Sequence, residues 1–187
     1  MTPQHHGLAP SAWIQRWSAL VPAGARVLDV ACGAGRHVRW FAARGAQVTA
    51  LDRDEQVLAP LRALPDSVVE VIVADIESAP WPLAGRRFDA VVVTNYLWRA
   101  LLPTLVASVD DGGILIYETF AQGNEAVGKP SNPDFLLRPH ELLEAAAGLR
   151  VIAFEDGFIA APPQRFVQRL TAVRERPLPA TPPRYPL

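Results

Sequence analysis

Cysteine and lysine are nearly missing from this chain of 187 residues: Cys32 is its single cysteine, and Lys129 its single lysine beside 17 arginines. One cysteine excludes an intrachain disulfide and points to a reducing compartment, the cytoplasm. The first residues, Met1 to Pro10, lack a basic stretch followed by an apolar core, so no signal peptide is read there. No apolar run approaches the ~20 residues that a membrane-spanning helix needs. An excess of charge is missing too. A formal net charge of -1 offers no basic face to neutralise phosphates, so neither a nucleic-acid nor a membrane partner is expected. The four histidines, His5, His6, His37 and His140, have no partners at ligand spacing, and no metal site is expected. A Gly-x-Ser-x-Gly elbow, a Walker loop and internal repeats are likewise absent.

What is present is a globular balance, 50% hydrophobic and 20% charged, in a length that suits one domain. The 18 prolines gather where elements should end, and five of them stud the tail from Arg176 to Leu187, which cannot be helix or central strand. Helical spacing is read over Ser11–Leu20, Arg36–Arg44, Asp54–Leu64, Leu97–Val109 and Pro139–Ala147. Short, apolar, β-branched runs read as strands over Arg26–Val30, Gln47–Leu51, Val68–Ala74, Phe88–Thr94 and Gly113–Glu118. Strands alternating with helices imply a parallel sheet covered on both faces. Two further strands, Arg150–Phe154 and Arg165–Val173, are joined by a short turn and predict an antiparallel pair, hence one reversed strand near an edge. Ligands of such sheets bind outside the carboxyl ends of the strands, which is where the polar residues stand.

The first strand runs into Asp29-Val30-Ala31-Cys32-Gly33-Ala34-Gly35-Arg36-His37. Small residues at alternate positions let the backbone turn tightly and come close to a ligand. A dinucleotide fingerprint would require a third glycine after Gly33-x-Gly35, and Arg36, His37 and Val38 follow instead. An acidic residue with small residues two, four and six positions later resembles the first motif of class I S-adenosylmethionine-dependent methyltransferases, Asp/Glu-x-Gly-x-Gly-x-Gly. Ala31 replaces the first glycine, and a negative φ there would accommodate its methyl group. The resemblance spans Trp13 to Val173. Its flavour is that of the small tellurite-resistance-like bacterial methyltransferases, through Cys32 to His37 and through Glu118-Thr119-Phe120 leading into a Gly/Pro/Asn loop at 121–133.

That resemblance implies a Rossmann-like, doubly wound, mainly parallel seven-stranded sheet with one antiparallel strand near the edge and helices on both faces. It divides the chain into an N-terminal helical lid segment (1–24), a cofactor-binding domain (25–175) and a Pro-rich tail (176–187). S-adenosylmethionine is the implied cofactor, held by Asp29, Ala31, Gly33, Gly35, Arg36, Asp52, Arg53, Asp75, Ile76 and Asn95. Asp52, after the second strand, would accept the ribose hydroxyls, or else cap the next helix. Asp75 would accept the adenine amino group with Ile76 against the ring, or else be an ordinary turn aspartate. Arg36 would meet the cofactor carboxylate or stay solvated in the first helical turn. Trp13, Trp17, Tyr96, Trp98 and Phe120 are the aromatic candidates for the acceptor, which would pass beneath Trp13, Trp17 and the 121–133 loop. Each has an alternative as a core residue. Lys129 is either selected as an ammonium or there by chance.

The implied reaction is in-line methyl transfer to a small-molecule acceptor, for which orientation alone can supply roughly 7–11 kcal/mol. No catalytic residue is assigned; a hydroxyl or carbon acid would need a base, for which Glu118, Tyr117 and His37 are the candidates. Two other classes stay open: a non-catalytic adenosyl-binding domain and a nicotinamide-dependent oxidoreductase. The chain is read as a monomer or a homodimer, since the last two strands leave a sheet edge to pair or to be capped.

Overall fold

Alternate residues of a strand face opposite sides of its sheet, and here both sides are apolar. The computed structural model describes residues 9–177 and 183–186; the readings for His5, His6, Pro179 and Pro182 lie outside these. Seven strands, β1 (Arg26–Val30), β2 (Gln47–Asp52), β3 (Val69–Val73), β4 (Phe88–Thr94), β5 (Val109–Phe120), β6 (Arg150–Ile159) and β7 (Arg165–Val173), form one sheet. Its order is β3-β2-β1-β4-β5-β7-β6. The first five are parallel, and β7 runs antiparallel to both β5 and β6. β7 is therefore the one reversed strand, next to the edge, as expected.

Five helices, α1 (Ala12–Trp17), α2 (Arg36–Ala42), α3 (Glu55–Leu58), α4 (Leu102–Ala107) and α5 (Glu141–Ala145), cover the sheet. Leu28, Val91, Val93 and Leu115 face one side and pack with α4 and α5 through Leu105 and Leu142. Val27, Val48, Ala90 and Val92 face the other, against Trp13 and Trp17 of α1, Phe41 of α2 and Leu58 of α3. Val30 pairs with Leu51 on one side and Val93 on the other, so β1, β2 and β4 end at one level. The turns that follow them are neighbours.

Several elements differ from the sequence reading. The helix expected over Asp54–Leu64 is α3 followed by a 3-10 stretch, Ala59–Ala63, with Pro60 in its first turn. Pro60 has no N–H to continue an α-helical ladder. The helix expected over Leu97–Val109 begins as 3-10 at Arg99–Leu101 and shrinks to α4, with Pro103 in its first turn. Val109 already belongs to β5, which is longer than expected and shifts register against β4 between Phe88 and Ala90. β6 also runs on to Ile159.

Helix α1 packs into the core through Trp13, Ile14 and Trp17. The Ser11 hydroxyl accepts the Trp13 and Ile14 amides and caps α1. The Trp13 indole N–H donates to the Leu170 carbonyl at 3.3 Å, and the Trp13 and Trp17 rings meet edge to face at 5.7 Å. Both indoles are buried, at 3% and 2% exposure. At the other end, the Arg150 guanidinium lies 5.6 Å from the Tyr185 ring, so part of the tail rests on the start of β6. No helix among the described residues is long and apolar enough to cross a membrane. Trp17→Ala should cost about 3–5 kcal/mol of stability in urea unfolding, the range for an emptied core site. A loss below about 1 kcal/mol, typical of surface sites, would contradict the core assignment.

Candidate functional site

The turn after β1 takes left-handed backbone at alternate residues: Ala31, Gly33 and Gly35 have φ of +52°, +52° and +75°. The negative φ expected at Ala31 is thus not adopted. An alanine in this region costs roughly 1–2 kcal/mol, and such strain gathers where a site needs it. The two glycines answer different demands. A Cβ on Gly33 would project into open space, while one on Gly35 would lie 2.6–2.7 Å from the Leu61 methyl groups. Gly33 leaves room for a close neighbour; Gly35 lets α2 and the Leu61 turn pack.

Asp52 ends β2, and its carboxylate accepts the Gly33 amide at 2.9 Å and the Asp54 amide at 3.0 Å. Asp54, not Asp52, caps α3. One lone pair on each Asp52 oxygen remains for a ligand. Asp75 accepts the Glu77 amide at 3.0 Å and the Ser78 hydroxyl at 2.8 Å, and these bonds hold its carboxyl below the usual range.

Asp52, Arg53, Asp75, Ile76, Ala31 and Tyr96 line one cavity of about 270 Å³, together with Ala74, Glu77 and Phe135. A second, of about 230 Å³, is lined by Asn95, Tyr96, Phe120, Leu97, Thr119 and Pro130, again with Glu77 and Phe135. The three shared residues make these two chambers of one groove at the carboxyl ends of the strands. Asn95 enters the second chamber with φ +55°, its amide held by the Glu118 carbonyl at 2.9 Å. A larger groove of about 700 Å³ lies at the opposite ends of the strands, but its Arg26 and Arg86 are already paired with Asp89, Asp110 and Glu70.

Asp29 sits beneath the turn and is fully buried, with neither carboxylate oxygen hydrogen-bonded. Burial pushes its carboxyl up to about 8, with the Arg36 charge acting downward and Asp52 upward. Other expected residues lie apart. Arg36 is in the first turn of α2 and lines neither chamber, Trp98 is 36% exposed and lines neither, and Trp13 and Trp17 are core. Lys129 is exposed beside Pro130. Glu77 and Phe135 were not foreseen. Glu77 carried a signal, an acid two residues after Asp75 in the same strand-end turn, whereas Phe135 carried none.

Each of the three candidate bases is engaged. The Ser11 amide donates to His37 Nε2 at 3.1 Å, which leaves the proton on Nδ1, 3.3 Å from the Thr94 hydroxyl. Burial pulls this imidazole down to about 3. The Tyr117 hydroxyl donates to the Tyr96 carbonyl at 2.9 Å, and burial raises it. Glu118 is buried and paired with Arg169 at 2.5 Å. The loop bearing Phe135 is held by Arg99, which donates to Glu141 at 2.8 Å and to the carbonyls of Asp134 and Leu136 at 2.6 and 2.7 Å.

Asp29 should leave a pH signature. Its folded carboxyl titrates above the unfolded value, so its contribution is complete below pH 3.8 and is lost as pH rises through about 8. His37, lowered in the fold, acts in the opposite sense between about 3 and 6.5. Between pH 6.5 and 8, therefore, stability should fall with pH by at most about 1.4 kcal/mol per unit. Asp29→Asn should remove that slope in chemical unfolding; an unchanged slope would show that Asp29 ionises normally.

Comparison with known proteins gives concordant findings. A family described as a methyltransferase domain matches residues 27–113. A malonyl-[acyl-carrier protein] O-methyltransferase of Enterobacter lignolyticus is 32% identical over 145 residues, 67% of this chain and 54% of its own length. A ubiquinone biosynthesis O-methyltransferase of Xanthomonas axonopodis pv. citri is 38% identical over 104 residues, 54% of this chain and 43% of its own. The chain spans about half the length of these curated relatives. TehB from Haemophilus influenzae shares the fold, with a TM-score of 0.73 over 91% of this chain and 64% of that one, at 17% identity.

Proposed function

The chain belongs to the class I S-adenosylmethionine-dependent methyltransferases, and on that premise we propose that its two-chambered groove binds S-adenosylmethionine and passes the methyl group to a small-molecule acceptor. One observation carries this reading. A carboxylate stands at or beside the carboxyl end of each of β1, β2 and β3; Asp52 and Asp75 line one chamber, and Asp29 lies buried without a partner.

The cofactor supplies a methyl group already activated by a positive sulfur. The residues do the rest. Asp52 takes the ribose hydroxyls on the lone pairs left by Gly33 and Asp54. Asp75 accepts the adenine amino group, and Ile76 packs on the ring, with Arg53 at the rim. Ala31 and Gly33 let the backbone approach, over the buried Asp29. The acceptor occupies the chamber of Asn95, Tyr96 and Phe120, in line with the methyl group, where orientation supplies roughly 7–11 kcal/mol. Two relatives are named O-methyltransferases, which supports oxygen as the accepting atom. The lone, buried thiol of Cys32 supports a cytoplasmic setting.

Asp52→Ala should weaken binding of S-adenosylhomocysteine by about tenfold or more, since a charged hydrogen-bond partner is worth roughly 1.5–3 kcal/mol. Calorimetric titration of wild type and variant measures it. An unchanged affinity would remove Asp52 from the cofactor site.

A further inference from the structure

Three aromatic residues, Tyr96, Phe120 and Phe135, and a single carboxylate, Glu77, stand in the wall of the second chamber. No arginine, lysine or histidine among the described residues lines it. A dry cavity of roughly 150 Å³ can hold a benzene ring, so about 230 Å³ admits one ring with small substituents. Glu77 and Tyr96 also line the first chamber, which puts them where two bound ligands would meet. The Tyr96 hydroxyl is buried without a hydrogen-bond partner. Burial and the neighbouring Glu77 carboxylate raise this phenol, with Asp75 acting in the same direction and Arg53 against it. It therefore stays protonated, a donor beside the Glu77 carboxylate.

Charge then selects the acceptor. An anionic acceptor would face Glu77 with no cation in the chamber to offset it. A cationic acceptor would face the positive sulfur next door. A neutral hydroxyl meets neither repulsion, and its proton has a receiver. Resting on the methyltransferase reading above, we propose that the acceptor is a single aromatic ring bearing a hydroxyl, and that Glu77 is the base that deprotonates it. Glu77 takes the hydroxyl proton as the acceptor oxygen forms the new O–CH3 bond, and the electron pair of the broken S–CH3 bond stays on sulfur. The negative carboxylate and the positive sulfur both end neutral. The Tyr96 hydroxyl orients the acceptor by donating to it. The three residues first considered as bases are excluded by their own bonds, which leaves Glu77 as the carboxylate within the chamber.

The test uses S-adenosylhomocysteine affinity first, then titration of the saturated protein with catechol and benzoate, for wild type and Glu77→Gln. Catechol should bind wild type at least about tenfold more tightly than benzoate, because like charges brought face to face are costly. Glu77→Gln, likewise saturated with S-adenosylhomocysteine, should close most of the gap between catechol and benzoate. Catechol methylation by the variant should fall by roughly 10²–10⁴-fold, the usual worth of a positioned base, and its rate should follow the ionisation of the phenol itself. Benzoate binding as tightly as catechol, no ring binding at all, or unaltered preferences in Glu77→Gln would overturn the proposal while the cofactor reading stands. Failure of S-adenosylhomocysteine to bind would overturn both.

Discussion

The Asp52 carboxylate stands between two backbone amides, Gly33 at 2.9 Å and Asp54 at 3.0 Å, and so ties the turn after β1 to the turn after β2. A parallel sheet delivers those turns to one level, but it does not fix their shape. The Gly33 contact orients the left-handed residues of the first turn, and the Asp54 contact leads into the cap of α3. From α3 the chain reaches Leu61, whose methyl groups require a glycine at position 35. The floor of the groove is thus built from a hydrogen bond, a cap and a steric fit that depend on one another. Losing the carboxylate would disturb all three.

Beneath that floor the electrostatics are those of a dry interior. Asp29 and His37 are both buried, and burial drives both toward their neutral forms, one upward and the other downward. His37 is used structurally: its two ring nitrogens join the N-terminal segment to the end of β4. Asp29 has no such bonds. A buried polar group without partners is rare in a native fold, and here it lies under a turn whose Gly33 opens onto free space. These features together distinguish the carboxyl end of the sheet from the larger groove at the amino end, where the arginines already have partners.

Much of this was legible in the chain. β1, β4 and β7 fall where apolar runs placed them, because a strand buried on both faces leaves a continuous signal. The reversed strand followed from one short connection. The helices were overestimated at Pro60 and Pro103, where spacing continued but the backbone changed to 3-10. Strand β5 was underestimated because Asp110 and Gly112 do not look like strand, although the Gly112 amide bonds to Arg174 across the sheet. The acidic strand ends stood out as a group. What stayed hidden depends on tertiary packing: the sign of φ at Ala31, the burial of Trp13 and Trp17, and the arrival of Phe135 from a loop fixed by Arg99 and Glu141.

The central claim is that this groove is shaped for an adenosyl ligand. Calorimetric titration of the wild-type protein with S-adenosylhomocysteine, with NADH and NADPH in parallel, tests it most directly. Micromolar binding of the adenosyl thioether, with no heat from either nicotinamide cofactor, is the predicted result. Binding of a nicotinamide cofactor, or of none of the three, would contradict it.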